Sequence, residues 1–173
     1  MWRPMTRADL AAVGAVAATV HPDYPEDAAV FEERLSLDPA GCHVYADGAA
    51  ITGYILSHPW IGRQPPSLNT LLGSIPADAD TYYIHDIALL GPARGHGAAR
   101  AILNQLIERA RRSGFTNLSL IAVNESAAFW RRHGFDIVQD TALDAKLKSY
   151  DAQARLMRLD LSPIGDAEVA PHD

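Results

Sequence analysis

Two glycines, Gly95 and Gly97, lie in the segment Arg94-Gly95-His96-Gly97-Ala98-Ala99, between an apolar run and an amphipathic run. Glycine permits the tight bends that let backbone N–H groups converge at the start of a helix. Such N–H groups, together with the positive end of the helix dipole, bind phosphate. Arg94 and Arg100 flank the turn and add positive charge. The segment therefore predicts an anion site of the phosphate type.

The spacing around this turn excludes two other phosphate loops. A P-loop requires two glycines five residues apart followed by lysine and serine or threonine, and the turn contains no lysine. A dinucleotide fingerprint requires a third glycine, where Arg100 stands, and an acidic residue about 20 positions further on, whereas 116–124 contains neither Asp nor Glu. Two interpretations remain: a pyrophosphate that belongs to neither NAD nor a nucleoside triphosphate, or a glycine-rich connection without a ligand.

A strand–helix–strand unit is predicted to position the turn. Residues 81–90 and 118–123 are apolar runs typical of buried strands, and 98–112 has apolar residues at the three-to-four spacing of an amphipathic helix. Ser113-Gly114 provides the stop of that helix. In such a unit the two strands are parallel, and the turn lies at the carboxyl end of the first strand, where ligands commonly bind.

The rest of the chain is predicted to extend a sheet around this unit. Asp47-Gly48 is a preferred tight-turn pair between two strand-like runs, so a hairpin is expected there. A long irregular segment with four prolines covers 58–80. The predicted elements are strands at 2–5, 42–46, 49–57, 136–139 and 155–161, helices at 10–20, 27–37 and 126–133, and a flexible tail at 162–173.

The composition is that of one folded domain. The chain has 173 residues, of which 48% are hydrophobic and 21% are charged. Its single cysteine, Cys42, excludes an intrachain disulfide and an all-cysteine metal cluster. The formal net charge of −6 argues against nucleic-acid binding, and no apolar stretch reaches the roughly 18 residues that span a bilayer. We therefore expect a cytoplasmic protein without nucleic-acid or membrane partners.

Two blocks of sequence resemble the GCN5-related N-acetyltransferase (GNAT) family. Ile87-Ala88-Leu89 followed by Arg94-Gly95-His96-Gly97-Ala98-Ala99 is similar to that family's Arg-x-x-Gly-x-Gly/Ala signature. Asn124-Glu125-Ser126-Ala127-Ala128-Phe129-Trp130, ending in His133-Gly134-Phe135, resembles the segment after the family's fifth strand. The order of elements from Trp2 to Leu161 also matches. One departure is Pro92, since many members place this proline one residue earlier.

The resemblance implies a single GNAT domain over 1–161. Its fold would be of the α/β (α+β) class, with a central mixed, mostly antiparallel sheet of about seven strands flanked by about four helices. The parallel strands at 81–90 and 117–123 would splay apart, with the pantetheine arm of acetyl-CoA between them and no metal. The residues implied in cofactor binding are Ile87, Ala88, Leu89, Arg94, Gly95, His96, Gly97, Ala98, Ala99, Asn124 and Trp130. Asn124 has the alternative of an ordinary helix cap.

The same resemblance implies direct transfer of an acetyl group to an amine, which requires a base for the amine and an acid for the departing thiolate. His85 is the candidate base, since arylalkylamine acetyltransferases carry a histidine at a similar strand position. The alternative is a hydrogen-bonded core histidine. Strand alternation predicts that His85 shares a face with Ile87 and Leu89, and that Asp86 faces the other way.

The acid is less well defined. Trp130 stands where many members have a tyrosine that protonates the thiolate, and an indole cannot serve as that acid. Tyr150 is the candidate in its place, with a surface or packing tyrosine as the alternative. Cys42 lies beside His43, but adjacent strand residues point to opposite faces, so no nucleophilic dyad is expected.

The leading functional prediction is an acetyl-CoA-dependent N-acetyltransferase that acts on the amine of a small molecule or peptide. A noncatalytic acyl-CoA-binding regulator stays open because the tyrosine is missing, and a nucleotide-dependent enzyme of another fold is a distant third. The acceptor is expected near 21–27, 58–80 and Tyr150. Acids in the first of these segments would attract a cationic amine or merely keep a loop soluble. A homodimer is left open.

Overall fold

Seven strands and five α-helices form in the part of the chain that the computed structural model describes, residues 1–123, 125–148 and 151–162. The strands are β1 (Trp2–Pro4), β2 (His43–Asp47), β3 (Ala50–Trp60), β4 (Thr81–Leu89), β5 (Asn117–Ala122), β6 (Asp136–Ile137) and β7 (Arg155–Asp160). The helices are α1 (Leu10–Val20), α2 (Ala28–Leu37), α3 (Ala98–Arg112), α4 (Ala127–Arg132) and α5 (Thr141–Leu147).

The strands form one sheet in the order β1-β2-β3-β4-β5-β7-β6. β4 and β5 are parallel, and the other neighbouring pairs are antiparallel. The predicted α/β (α+β) architecture, a mixed and mostly antiparallel sheet of about seven strands, is confirmed. α5 lies between β6 and β7, in a stretch for which no element was predicted.

β4 and β5 pair over only a short part of their length. Tyr82 pairs with Leu118 and Tyr83 with Ser119, and β4 then continues to Leu89 without further described pairing to β5. The two strands therefore diverge toward their carboxyl ends and leave a gap between them. This is the splay that the resemblance implied for 81–90 and 117–123.

Helices cover both faces of the sheet. α3 spans the residues predicted for it, and its Ile102, Leu103 and Leu106 are buried against one face. α1 and α2 cover the opposite face, where Val13 and Phe31 pack with residues of β2 and β3. None of the described helices is long and apolar enough to cross a membrane.

A β-bulge interrupts the alternation of side chains along β4. Leu56 of β3 pairs with Asp86, and the next residue, Ser57, pairs with Ile84, so His85 is an extra residue on β4. Ile84 and Ile87 consequently pack against the same cluster beneath α3, although strict alternation would place residues three apart on opposite faces.

The bulge determines where the candidate base lies. His85 contacts Glu26, which precedes α2, and Asp86 contacts Tyr54 in the cluster beneath α1 and α2. Both side chains are thus on the α1–α2 side. The prediction that His85 shares a face with Ile87 is wrong, because simple alternation does not account for the extra residue.

Candidate active site

A cavity of about 1150 Å³ runs along the gap between β4 and β5. Two groups of lining residues differ in chemistry, and we name them the α3 end and the histidine end. The α3 end comprises Ala93, Arg94, Gly95, Gly97, Ala98, Ala99 and Arg100. The histidine end comprises His21, Tyr24, Glu26, His85 and Asp86, beside the loop residues Pro66 and Leu68.

The α3 end is built from the backbone of the glycine turn. Gly95 and Gly97 have φ angles of 77° and 74°, in the left-handed region that strains other residues. A Cβ on either glycine would meet no atom within 4 Å, so backbone conformation rather than crowding requires glycine. Gly97 is the N-cap of α3, and its carbonyl accepts a hydrogen bond from Ala101 N–H. The N–H groups just before Ala101 have no partner within the helix and are available to an anion.

The edge of β4 presents carbonyl groups to the gap. Along an antiparallel strand, the backbone groups of alternate residues point to opposite sides. Because Leu90 donates its N–H to β3, the backbone groups of Ile87 and Leu89 point away from β3 and toward the gap. Arg94 Nε donates to the Leu89 carbonyl at 2.8 Å, and His21 Nε2 lies 3.2 Å from the Ile87 carbonyl. An extended ligand that carries amides therefore has a strand edge to follow between the two ends of the cavity.

The first pair at the histidine end joins His85 to Glu26. His85 Nε2 lies 2.8 Å from Glu26 Oε1, and both side chains are more than nine-tenths buried. Glu26 Oε2 also accepts the backbone N–H of Asn69 at 3.0 Å, which fixes the carboxylate against the loop between β3 and β4. The pair leaves His85 Nδ1 as the ring nitrogen without a hydrogen-bond partner among the described residues.

The second pair joins His21 to Asp86. His21 Nε2 lies 2.8 Å from Asp86 Oδ1, and the Tyr54 hydroxyl donates to the other oxygen of that carboxylate. Burial disfavours a charged His21, but the hydrogen bond and negative charge of Asp86 prevail, so the pKa of His21 lies above its ordinary value. Burial likewise opposes ionisation of Asp86, yet His21 and Tyr54 lower the pKa of that carboxyl. Both directions favour an imidazolium–carboxylate pair.

A model of the Acetyltransferase (GNAT) family matches residues 9–135. The protein belongs to the GNAT family. No match was found among curated proteins.

Solved structures share this fold over more than nine-tenths of the chain. Ard1 from Thermoplasma volcanium is 14% identical, covers 94% of this chain and 97% of its own, and has a TM-score of 0.70. The ribosomal-protein-S18-alanine N-acetyltransferase from Escherichia coli is 16% identical, with coverage of 98% and 99% and a TM-score of 0.64. A GNAT-like decarboxylase, GphF, in complex with isobutyryl-CoA is 16% identical, with coverage of 94% and 100% and a TM-score of 0.74. At these identities the likeness concerns the fold.

Most of the residues that the GNAT resemblance implied in cofactor binding line one cavity. These are Ile87, Leu89, Arg94, Gly95, Gly97, Ala98, Ala99 and Trp130. Ala88 is buried in the cluster beneath α1 and α2, and His96 is exposed, so neither lines the cavity. Asn124 and Tyr150 lie outside the described residues, and their proposed roles stay predictions.

Trp130 and Cys42 are both packed into the interior. Trp130 makes edge-to-face contacts with Phe129 and Phe135 and is buried beneath α3. Cys42 is buried on the other side of the sheet, where burial raises the pKa of its thiol to about 12. A thiol that stays protonated at neutral pH is a poor nucleophile, in agreement with the expectation for Cys42.

Two residues of the histidine end, and Tyr54 behind Asp86, had no role in the sequence analysis or only a general one. His21 and Glu26 fell in a segment considered for the acceptor, and Tyr54 was read only as part of a strand. No spacing rule connects Glu26 with His85, because 59 residues separate them. The polar pair His85-Asp86 inside an apolar strand was the one available signal, since buried charged groups require partners.

Proposed function

We propose that the protein is an acetyl-CoA-dependent N-acetyltransferase that moves an acetyl group directly to the amine of a small molecule or peptide. One observation carries the proposal. In the described part of the chain, a single cavity joins a phosphate-type turn, an edge of β4 that does not pair with β5, and two histidine–carboxylate pairs. Acyl transfer from a pyrophosphate-bearing thioester requires three parts in this order: a site that binds the pyrophosphate, a surface that binds the extended arm, and groups that transfer protons at the thioester.

The α3 end would hold the pyrophosphate. The free N–H groups at the start of α3 supply hydrogen bonds, and Arg94 and Arg100 supply positive charge. The edge of β4 at Ile87 and Leu89 would receive the amides of the pantetheine arm. Trp130 would border the arm through its packed ring. When bound, acetyl-CoA supplies a thioester carbonyl that an amine can attack.

His85 would accept the proton of the attacking amine. Its Nε2 is held by Glu26, so Nδ1 is the nitrogen that would take up the proton. Glu26 keeps the ring in one orientation and stabilises the imidazolium that forms. Both side chains are shielded from solvent, so the positive charge develops next to a carboxylate that water screens weakly.

The histidine–carboxylate pairs favour catalysis over a noncatalytic acyl-CoA-binding regulator. A regulator would need the α3 end and the strand edge, but it would have no use for two histidine–carboxylate pairs that can give or take a proton. The choice between the two functions can be made by measuring thiol release from acetyl-CoA with a panel of amines. The panel should contain arylalkylamines, aliphatic diamines and short peptides with a free amino terminus.

The expected result is amine-dependent thiol release with formation of the acetylated amine, detected by mass spectrometry. Submicromolar to micromolar CoA binding without release for any amine would support the regulator instead. Because a GNAT-like decarboxylase shares the fold, malonyl-CoA should be tested in parallel for loss of carbon dioxide. Release of carbon dioxide without amine acetylation would overturn the proposal.

A further inference from the structure

The cavity contains a proton-transfer group that the amine does not need. Acetyl transfer requires one base for the amine, a role that His85 fills, and one acid for the sulfur. The position that would carry the tyrosine acid holds Trp130, which has no acidic proton to give near neutral pH. His21 lies in the same cavity and forms its own pair with Asp86.

His21 contacts β4 farther from the glycine turn than Arg94 does. Arg94 binds the Leu89 carbonyl next to the pyrophosphate turn, and His21 lies at the Ile87 carbonyl, two residues closer to where β4 and β5 come together. At about 3.3 Å per residue, that step is roughly 7 Å along the strand. An extended arm anchored at the α3 end would pass Leu89 first, and its far end would lie nearer to His21.

We propose that His21, held by Asp86, is the acid that protonates the departing thiolate. The inference rests on the proposed acetyl transfer. As the carbon–sulfur bond breaks, the bonding electron pair stays on sulfur, and His21 Nδ1 transfers its proton to that sulfur. His21 becomes neutral while His85 holds the proton taken from the amine. Exchange with solvent returns one proton to His21 and removes one from His85, so the net reaction moves one proton from nitrogen to sulfur.

Three features of His21 suit this role. Nε2 is occupied by Asp86 and the Ile87 carbonyl, so the ring is fixed while Nδ1 has no partner in the described part of the chain. The side chain is one-quarter exposed within the cavity, so a ligand can reach it. Asp86 favours the charged form of the ring against the effect of burial and raises the pKa of His21, which is the direction that an acid requires.

The other candidates in the cavity are less suitable. The Tyr24 hydroxyl donates to Asp151, and burial together with that carboxylate raises the pKa of Tyr24 to about 12. His85 is more deeply buried and held by Glu26, where it serves the amine. The groups that surround His21 and affect its charge are Asp86 and Tyr54 from the sheet and Glu26 from the connection before α2.

The test measures the thiol of bound CoA and does not depend on turnover. CoA and an analogue that lacks the sulfur atom are titrated into the protein between pH 5.5 and 9, and thiolate is followed by its ultraviolet absorbance. An imidazolium next to the sulfur should make the bound thiol titrate about one pH unit or more below free CoA. His21→Gln keeps an amide donor for Asp86 but no charge, and should return the titration to that of free CoA.

Two further variants keep the test decisive. Asp86→Asn leaves His21 in place but removes the charge that favours its protonation, so the bound thiol should titrate between the wild-type and His21→Gln values. His43→Gln, at a histidine that does not line this cavity, is the matched control and should titrate as the wild type does. Under turnover, His21→Gln should lower kcat by about 100-fold while the KM for acetyl-CoA changes by less than about threefold.

A bound thiol that titrates identically in wild type and His21→Gln would overturn the inference. So would an upward shift in Tyr150→Phe that is absent in His21→Gln, because the acid would then be Tyr150. These results are separable from failure of the proposed function. If the wild type releases no thiol with any amine, acetyl transfer fails, whereas normal turnover in His21→Gln rejects only the role of His21.

Discussion

The two ends of the cavity are built in different ways. At the α3 end, the consecutive residues from Arg94 to Arg100 supply the left-handed glycines, the free N–H groups at the start of α3 and the positive charge. At the histidine end, the contacts join residues that are 59 and 66 positions apart, His85 with Glu26 and His21 with the Ile87 carbonyl. Anion binding by backbone needs only local geometry, whereas proton transfer needs side chains from several segments. The comparison predicts that substitutions at the α3 end will mainly reduce CoA affinity, and that substitutions at the histidine end will mainly reduce kcat.

His85→Gln should have the largest effect. We expect kcat to fall about 1000-fold, since general-base catalysis contributes about 100- to 10,000-fold, while CoA affinity changes by less than about threefold. Steady-state thiol release and calorimetric CoA binding measure the two quantities. Glu26→Gln should cause a smaller loss of kcat, because the amide can still hold the ring but cannot stabilise its charge.

His43→Gln is the control for loss of a histidine elsewhere in the sheet. A loss of CoA affinity in His85→Gln as large as the loss of kcat would show that the two ends are not separable.

Gly97→Ala should show the reverse pattern, with CoA affinity reduced by about tenfold. The new Cβ meets no neighbour, but an L-residue at a φ of 74° costs about 1–2 kcal/mol, and relaxation of the turn would misalign the N–H groups. Gly91→Ala is the matched control, since its Cβ also meets nothing and its φ is not positive. Equal CoA dissociation constants for the two variants would contradict a role for the left-handed turn.

Arg94→Gln should weaken CoA binding by about threefold at low salt. Arg94 is exposed, so its charge is screened, and the difference from wild type should shrink as ionic strength rises. Arg7→Gln, which removes an exposed arginine paired with Glu32 on another surface, should leave CoA binding unchanged. A threefold loss that persists in high salt would assign Arg94 to the hydrogen bond with Leu89 rather than to charge.

The smallest effect concerns stability and pH. The pKa of folded His21 is raised, so the pair with Asp86 adds stability that is fully present below the unfolded pKa of about 6.5. That contribution is lost as the pH rises through the raised pKa of the folded state. Denaturant unfolding should therefore show His21→Gln less stable than wild type by on the order of 1 kcal/mol at pH 5.5, and by less at pH 9.

The comparison at two pH values isolates His21, because Glu26, His85 and Tyr54 are present in both proteins. A difference in unfolding free energy that is the same at both pH values would mean that folding does not raise the pKa of His21.

Elements with a local signal were predicted well. α3 has the bounds that its apolar spacing indicated, because an amphipathic stripe and a glycine stop are properties of neighbouring residues. The predicted hairpin formed, but its turn lies one residue later than expected: Asp47 pairs with Ala50, so the loop is Gly48-Ala49, with Gly48 at a φ of 60°. α5 was missed, since Thr141 to Leu147 is short and only its Leu143 and Leu147 are buried.

By itself, the sequence determined the strand–helix–strand unit and the tight glycine turn before α3, because strand runs, helix stripes and glycine conformations depend on residues close together in the chain. The family and the splay of the sheet were implied by the resemblance of two motifs to GNAT proteins. Only the tertiary structure decided which side chains meet at the histidine end. With the bulge at His85, that residue and Asp86 both lie on the α1–α2 side, where His85 contacts Glu26 and Asp86 contacts His21. Neither the bulge nor these contacts has a local signature, since both follow from how β3, β4 and the connection before α2 pack together.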